Sequence, residues 1–263
     1  MTKLLIRKTP MKNIKYIKSF FDKIGIKELN NFKHISKPKI KKIIEKKTYG
    51  PNLSDLYSLY NIIITHKRTT VLEFGSGWSS LIISYALQNL KKKYSKEITK
   101  IRRSNPFELF IIENEKKYLN ETKKKLKKLN EIKIHYTLSK VKMINYKGKF
   151  ATEYSKLPLC NPDFIYLDGP DQYNIKKSSN NFSTAHPDLM PMVADILKME
   201  YFLLPGTIIL IDGRGANARF LKNNLERKWG YKYLEISDQH FFVLNDKPIG
   251  KLNKKQINFY NSK

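Results

Sequence analysis

The sequence predicts an α/β fold in which a mostly parallel sheet is covered by helices. A buried apolar strand at Val71–Phe74 runs into two glycines, Gly75 and Gly77, and a helical pattern at Leu81–Leu90 follows at once. Apolar strands and amphipathic helices then alternate, as they do in a parallel sheet with helices on both faces. Two final apolar runs lie three residues apart, which indicates that the sheet closes with an antiparallel hairpin.

The predicted elements follow from the period of the apolar residues. The predicted strands are Val71–Phe74, Leu109–Glu113, Ile132–Thr137, Phe164–Asp168, Thr207–Asp212, Tyr231–Ile236 and His240–Leu244. The predicted helices are Leu53–Thr65, Leu81–Leu90, Glu115–Leu129, Met190–Leu203 and Ala216–Trp229. Ser139–Pro162 and Asp171–Leu189 show no period, and we expect both to be loops. Each follows the carboxyl end of a strand, where α/β enzymes often keep substrate residues.

The same patterns divide the chain into three parts. Residues 1–52 combine lysines with apolar residues at helical spacing and predict an N-terminal helical extension. Its apolar face can pack on the main domain, on a second subunit or on an anionic membrane. Residues 53–246 carry the alternating strands and helices, and residues 247–263 are expected to form a basic C-terminal tail.

The composition restricts the class of protein. The net charge is +28, but the lysines are spread along the chain, so we expect nucleic-acid binding only through non-specific charge. A single cysteine, Cys160, excludes an internal disulfide framework and a multi-cysteine zinc site. No apolar run has the length of a membrane span, and no secretion signal is recognisable, so a cytoplasmic location is expected.

The turn after the first strand has the features of a nucleotide-cofactor site. Gly75 and Gly77 permit a sharp turn and let a ligand approach the bare backbone. Glu73 can accept a hydrogen bond in the crevice, and Ser79 or Ser80 can cap the next helix. A tight turn that binds no ligand would have the same residues. The dinucleotide-binding fingerprint does not fit, because Ser80 stands at its last glycine and no acid follows at the required spacing.

Glu73 to Ser79 resembles motif I of the class I S-adenosylmethionine-dependent methyltransferases, an acid-x-Gly-x-Gly-x-Gly segment in which Ser79 replaces the last glycine. The resemblance covers residues 51–246. It implies a Rossmann-like sheet of seven strands, mostly parallel, with an antiparallel last strand. The cofactor contacts that it implies are Glu73, Gly75, Ser76, Gly77, Ser79, Glu113, Asn114 and Asp168. Glu113 is expected to accept the ribose hydroxyls, or else to cap the following helix.

Two further strand ends carry acids that match this family. The segment around Asp168 resembles motif IV of small-molecule O-methyltransferases, whose aspartate faces both cofactor and acceptor; the alternative is a turn alone. Asp212 ends the fifth strand, where metal-dependent catechol-type relatives have Asp-Asn. Gly213 replaces that asparagine, so Mg²⁺ binding by Asp168 and Asp212 is possible but not favoured.

The remaining candidates face the expected acceptor. Arg214 can bind a carboxylate or phosphate through its planar guanidinium, or it can pair with Asp212 or Asp171. Asp171 is the second expected substrate contact. His186 is the one histidine in a predicted active-site loop and a candidate proton acceptor. Asp168, Asp212 and His186 are therefore the expected catalytic residues.

The resemblance implies methyl transfer from S-adenosylmethionine to oxygen of a small or carbohydrate-like acceptor. The chain is similar to bacterial methyltransferase-like proteins of surface polysaccharide biosynthesis. One alternative is RNA methylation, which the charge favours. Another is a catalytically degenerate methyltransferase fold that acts as a binding or scaffold protein, which the departures at Ser79 and Gly213 favour. Assembly into an oligomer would use the N-terminal helix.

Overall fold

The computed structural model describes residues 12–32 and 50–262. Predictions on residues 1–11, 33–49 and 263 lie outside the described residues. Within the predicted N-terminal extension, Asn13 caps a helix at Ile14–Lys23 by accepting a hydrogen bond from the Tyr16 N–H. This helix buries Ile17 and Phe21 against the main core.

Ten strands are found in the described residues. They are β1 Thr70–Phe74, β2 Glu108–Glu113, β3 Lys133–Leu138, β4 Val141–Tyr146, β5 Lys149–Tyr154, β6 Phe164–Leu167, β7 Ile175–Lys176, β8 Ile208–Asp212, β9 Trp229–Leu234 and β10 Gln239–Leu244. Seven of them form the main sheet in the order β3-β2-β1-β6-β8-β10-β9. The pairs among β3, β2, β1, β6 and β8 are parallel, whereas β10 is antiparallel to both of its neighbours.

This sheet confirms the predicted fold, including the antiparallel last strand. All five residues of β1 are buried, since helices cover both faces of a parallel sheet and its central strands become continuously apolar. The predicted strand bounds are right to within one or two residues. The parallel strands place their carboxyl ends at one edge, where open α/β sheets bind their ligands.

Seven α-helices are found in the described residues. They are α1 Ile14–Lys23, α2 Leu53–His66, α3 Trp78–Ile98, α4 Lys116–Leu126, α5 Asp195–Met199, α6 Gly215–Lys222 and α7 Gly250–Asn261. The predictions for α5 and α6 were too long. The helix predicted at Met190–Leu203 is limited to α5 and a following short 3₁₀ turn. The helix predicted to end at Trp229 stops at Lys222, because Trp229 begins β9 and pairs with Leu244.

The segment Ser139–Pro162 is not an irregular loop, so this prediction was wrong. It contains the antiparallel hairpin of β4 and β5, and β7 pairs with β4 to complete a small second sheet. The turn residues Lys147 and Gly148 have φ of +50° and +78°, the backbone of a two-residue hairpin turn. The alternation of apolar and polar residues in β4 is short and interrupted by polar residues, so the sequence pattern did not predict this strand.

Part of the C-terminal segment packs into the molecule. Tyr260 on α7 is buried, and its hydroxyl donates a hydrogen bond to Asp163 Oδ2 at 2.9 Å. The guanidinium carbon of Arg68 lies 3.8 Å from the centre of the Tyr260 ring. These buried contacts could not be predicted from the sequence, because the segment contains many charged residues.

Glu73 fixes the turn between β1 and α3 from inside the protein. Its carboxylate is fully buried and accepts hydrogen bonds from Ser79 Oγ at 2.5 Å and from Ser80 Oγ at 2.7 Å. The N-cap residue is Gly77 and not one of the two serines, but Ser80 takes part in the cap, since its Oγ accepts the Gly77 N–H. Burial raises the pKa of Glu73 to about 8, so the turn contains a carboxyl group that holds a proton at neutral pH.

Glu73→Gln should change how stability depends on pH. Between the ordinary pKa of 4.5 and the folded value of about 8, the folded protein holds a proton that the unfolded chain releases. The free energy of unfolding therefore falls as pH rises through this window. Between about pH 5 and about pH 9, we expect the free energy of unfolding to fall by about 2–4 kcal/mol more in the native protein than in the variant, at about 1.4 kcal/mol per pKa unit.

Urea denaturation across this pH range measures the difference. Glu131→Gln, on the surface, is the matched control and should follow the native curve. Equal losses in the native protein and in Glu73→Gln would contradict the protonated state of Glu73.

Candidate active site

A cavity of about 640 Å³ opens at the carboxyl edge of the main sheet. The strand ends of β1, β2, β6 and β8 contribute Gly75, Glu113, Asp168 and Asp212 to its lining. The first turn of α2 and part of α4 supply the rest of the wall, together with aromatic residues that include Trp78. The residues predicted at four separate strand ends therefore lie around one cavity.

Two glycines allow the loops after β1 and β6 to touch through their backbones. A Cβ atom on Gly169 would lie 2.6 Å from the Gly75 nitrogen. Gly75 has φ of +101°, and a Cβ there would lie 3.0 Å from the carbonyl oxygen of Asp168. The Asp168 N–H donates to the Phe74 carbonyl at 2.9 Å. This approach holds Asp168 beside the glycine turn.

The Glu113 carboxylate serves the following helix and the cavity at once. Its Oε1 accepts the N–H groups of Asn114 at 2.8 Å and Glu115 at 2.9 Å. Its Oε2 accepts a hydrogen bond from Ser76 Oγ at 2.8 Å, and both side chains line the cavity. Burial raises the pKa of Glu113 to about 7. One oxygen of Glu113 therefore caps the following helix, as the alternative prediction expected, and the other oxygen faces the glycine turn.

Two residues predicted to bind the cofactor do not line the cavity. Glu73 is buried beneath the turn, as described above. Asn114 holds the loop after β6, since its Oδ1 accepts the Asp171 N–H at 2.9 Å. Ser79 lines the cavity, but its hydroxyl is directed to Glu73. Glu73 and Asn114 therefore shape the site from outside it.

Arg214 pairs with Asp168 and with neither Asp212 nor Asp171. Its Nη2 donates to the Asp168 carbonyl at 2.7 Å and its Nη1 to the Pro170 carbonyl at 3.2 Å. Its Nε lies 3.4 Å from Asp168 Oδ1. The Asp168 side chain is 49% exposed and that of Arg214 16% exposed. The guanidinium thus holds the loop after β6 and partly neutralises its acid.

Asp212 is held by uncharged donors. Tyr166 donates its hydroxyl to Oδ2 at 2.8 Å, and Gln239 donates its amide to Oδ1 at 3.1 Å. Ser58 in turn donates to Gln239 Oε1 at 2.8 Å, which fixes the amide. Burial, with the nearby charge of Asp168, raises the pKa of Asp212 to about 7. This carboxyl group can therefore gain or lose a proton near neutral pH.

Asp55 is a cavity residue that sequence reasoning missed. It lies in the first turn of α2, after the N-cap residue Asn52, and lines the cavity. Burial, with the charges of Asp212 and Asp168, raises the pKa of Asp55 to about 8. An acid in the first turn of a helix is favourable in any protein. Its position in the sequence therefore carried no signal of a site.

His186 is not part of this site. Its side chain is 59% exposed, it does not line the cavity, and its Nδ1 accepts the Asp188 N–H at 3.1 Å. Gln172 donates to the His186 carbonyl at 2.7 Å, and it is Gln172 that faces the cavity. The predicted substrate residue Asp171 does line the cavity, and its Oδ2 accepts the Tyr173 N–H at 3.0 Å.

Over residues 12–32 and 50–262, no group of three or more His, Cys, Asp or Glu side chains has an arrangement that could hold a metal ion. Within the same residues, no helix combines the length and the apolar character needed to cross a membrane.

No protein-family model matches this sequence, and no curated protein matches it either. Some solved structures are similar to this chain. One is an O-methyltransferase from Bacillus cereus in complex with SAH, with 10% identity, 88% of this chain and 97% of that chain covered, and a TM-score of 0.38. An O-methyltransferase from Streptomyces achromogenes involved in tomaymycin synthesis, in complex with SAM, has 12% identity, coverages of 90% and 100%, and a TM-score of 0.38.

A methyltransferase from Geobacter sulfurreducens has 9% identity, coverages of 90% and 99%, and a TM-score of 0.40. These values are too low to transfer any property of those proteins to this chain. Three features of this chain's own structure do not depend on those comparisons: the strand order, the antiparallel β10 and the cavity at the carboxyl edge. On these features, the chain has the fold of the class I S-adenosylmethionine-dependent methyltransferases.

Proposed function

We propose that this protein is a class I methyltransferase that transfers a methyl group from S-adenosylmethionine to a small acceptor, at oxygen. One observation carries the proposal: the glycine turn, the Glu113 carboxylate and the acids Asp168 and Asp212 all line a single cavity. A turn with a purely structural role would not explain why acids at the ends of three other strands line the same cavity.

The residues present fit the cofactor. A Cβ on Gly77 would meet no atom within 4 Å, so the turn leaves open space above its backbone. Ser76 and Glu113 lie at the side of that space, where a carboxylate oxygen can accept a ribose hydroxyl. Gly75, Ser76, Gly77 and Glu113 would hold S-adenosylmethionine, which supplies a methyl group on a sulfonium when bound.

The acids after β6 and β8 supply the chemistry on the acceptor side. Transfer to a hydroxyl requires alignment and removal of one proton. Asp212 has a pKa of about 7, which suits a proton acceptor at neutral pH. Arg214 holds Asp168 in place. We assign proton removal to Asp212 and positioning of the acceptor to Asp168.

The acceptor that the sequence resemblance favours is carbohydrate-like, in surface polysaccharide biosynthesis. RNA is the second candidate, because the chain carries a net charge of +28. The acidic lining of the cavity opposes it, since phosphate groups would be repelled at the reacting end. A scaffold role predicts that the cavity binds no cofactor.

Glu113→Ala should weaken S-adenosylmethionine binding by about 1–3 kcal/mol, because the paired hydroxyls lose their acceptor. Since the pKa of Glu113 is about 7, its carboxylate is lost on acidification. Native affinity should therefore fall between about pH 8 and about pH 6, and Glu113→Gln should flatten this dependence. Calorimetric titration measures both effects, with Glu131→Ala as the surface control. Unchanged affinity in Glu113→Ala would contradict the ribose assignment.

Arg214→Lys should lower kcat by at least about tenfold, because an ammonium cannot replace three directed donors of the planar guanidinium. Arg219→Lys, exposed on α6, the helix that follows Arg214, should have little effect. Chelator should leave turnover unchanged if Arg214 supplies the positive charge. Loss of turnover with chelator, restored by Mg²⁺, would instead show that a metal ion does so.

A further inference from the structure

The charge of the cavity is opposite to that of the chain. The protein has a net charge of +28, yet carboxylates outnumber cations in the cavity lining by six to two. The carboxylates are Asp55, Glu113, Glu121, Asp168, Asp171 and Asp212. The cations are Lys125 and Arg214. In a chain so rich in lysine, this concentration of acidic side chains around one cavity disfavours an anionic ligand.

Three of these acids, Asp55, Asp168 and Asp212, form the acid triad at the acceptor end. The charges of Asp212 and Asp168 both help to raise the pKa of Asp55, and the charge of Asp168 helps to raise that of Asp212. Arg214 offsets Asp168, and the donors on Asp212 are uncharged. Within the described residues, the Asp55 side chain makes no hydrogen bond or ion pair. Without a ligand, Asp55 and Asp212 are therefore partly protonated near neutral pH, and a bound cation would favour their charged forms.

The acid triad lies away from the part of the cavity assigned to the ribose. Glu113 ends β2, and Asp212 ends β8, which is three strands further along the order β2-β1-β6-β8. Adjacent strands are about 4.8 Å apart, so these two strand ends are separated by about 14 Å. A ligand group other than the ribose must face Asp55 and Asp212.

We propose that the acceptor is a small cation, which carries an ammonium group near the atom that is methylated, and that Asp55 binds this ammonium. The proposal rests on the methyltransferase function proposed above and names the substrate class of the same site. Placing a positive group among three carboxylates offsets their repulsion, whereas a neutral acceptor leaves it unchanged. An amino sugar would meet this requirement and also remain carbohydrate-like.

Two simpler roles for Asp55 make different predictions. A role only in stabilising the N-terminus of α2 would lower stability in Asp55→Asn without changing the choice of acceptor. A role in binding the sulfonium of the cofactor would weaken S-adenosylmethionine relative to S-adenosylhomocysteine, which lacks that charge. The proposed role changes neither the fold nor the ratio of these two affinities.

The charge of the product tests the proposal directly. Native protein is incubated with S-adenosylmethionine labelled in its methyl group and with a deproteinised small-molecule extract of the source cells. Charcoal then removes the nucleosides, and the remaining label is separated on cation and anion exchangers at neutral pH. We expect the label on the cation exchanger. Label in the neutral or anionic fraction would overturn the cationic acceptor and leave methyl transfer intact. No labelled product in any fraction would remove the proposed function and this inference together.

Asp55→Asn tests the assigned residue. The variant should lose at least about tenfold in labelling of the cationic product, because one unit of charge attraction is removed at short range in a partly desolvated site. Glu131→Gln, outside the cavity, should label it as the native protein does. Calorimetry should show that Asp55→Asn binds S-adenosylmethionine and S-adenosylhomocysteine each with the native affinity, which shows that it folds and that Asp55 does not bind the ammonium group that both molecules carry. Native labelling by Asp55→Asn, or a reduced preference for the sulfonium, would overturn the assignment.

Discussion

The site depends on how closely the ends of β1 and β6 approach each other. Gly75 and Gly169 meet backbone to backbone, at a distance that excludes a Cβ on Gly169. This contact places the acid after β6 directly beside the glycine turn after β1. Arg214, from the loop after β8, then donates to the carbonyls of Asp168 and Pro170 and closes the same edge of the sheet. Three strand ends thereby share one cavity.

Buried carboxyl groups set the chemistry of that cavity. Burial raises the pKa of Glu73 and Asp55 to about 8, and that of Glu113 and Asp212 to about 7. Glu73 is satisfied by two serine hydroxyls and serves the turn. The other three face the cavity, where a bound positive group would favour their charged forms. A protein with a net charge of +28 thus has a cavity lined mainly by acids.

The sequence was sufficient for the main sheet and for much of the site. Gly75, Glu113, Asp168, Asp212 and Arg214 were all identified as site candidates because each lies at the carboxyl end of a predicted strand, and all five line the cavity. Contacts between side chains from different parts of the fold could not be predicted from the sequence. Nothing in the sequence shows that Glu73 faces inward to Ser79 and Ser80, that His186 points to solvent, or that Asp55 faces the cavity. The hairpin of β4 and β5 was missed because its alternation is short.

The central claim is that the glycine turn and Glu113 together bind the nucleoside part of the methyl donor. A crystal structure of the protein with S-adenosylhomocysteine tests it most directly. The account predicts the ribose hydroxyls within hydrogen-bonding distance of the Glu113 carboxylate, with the chain of the ligand passing over the backbone from Gly75 to Gly77. A ligand bound elsewhere, or a ribose that does not contact Glu113, would contradict the account.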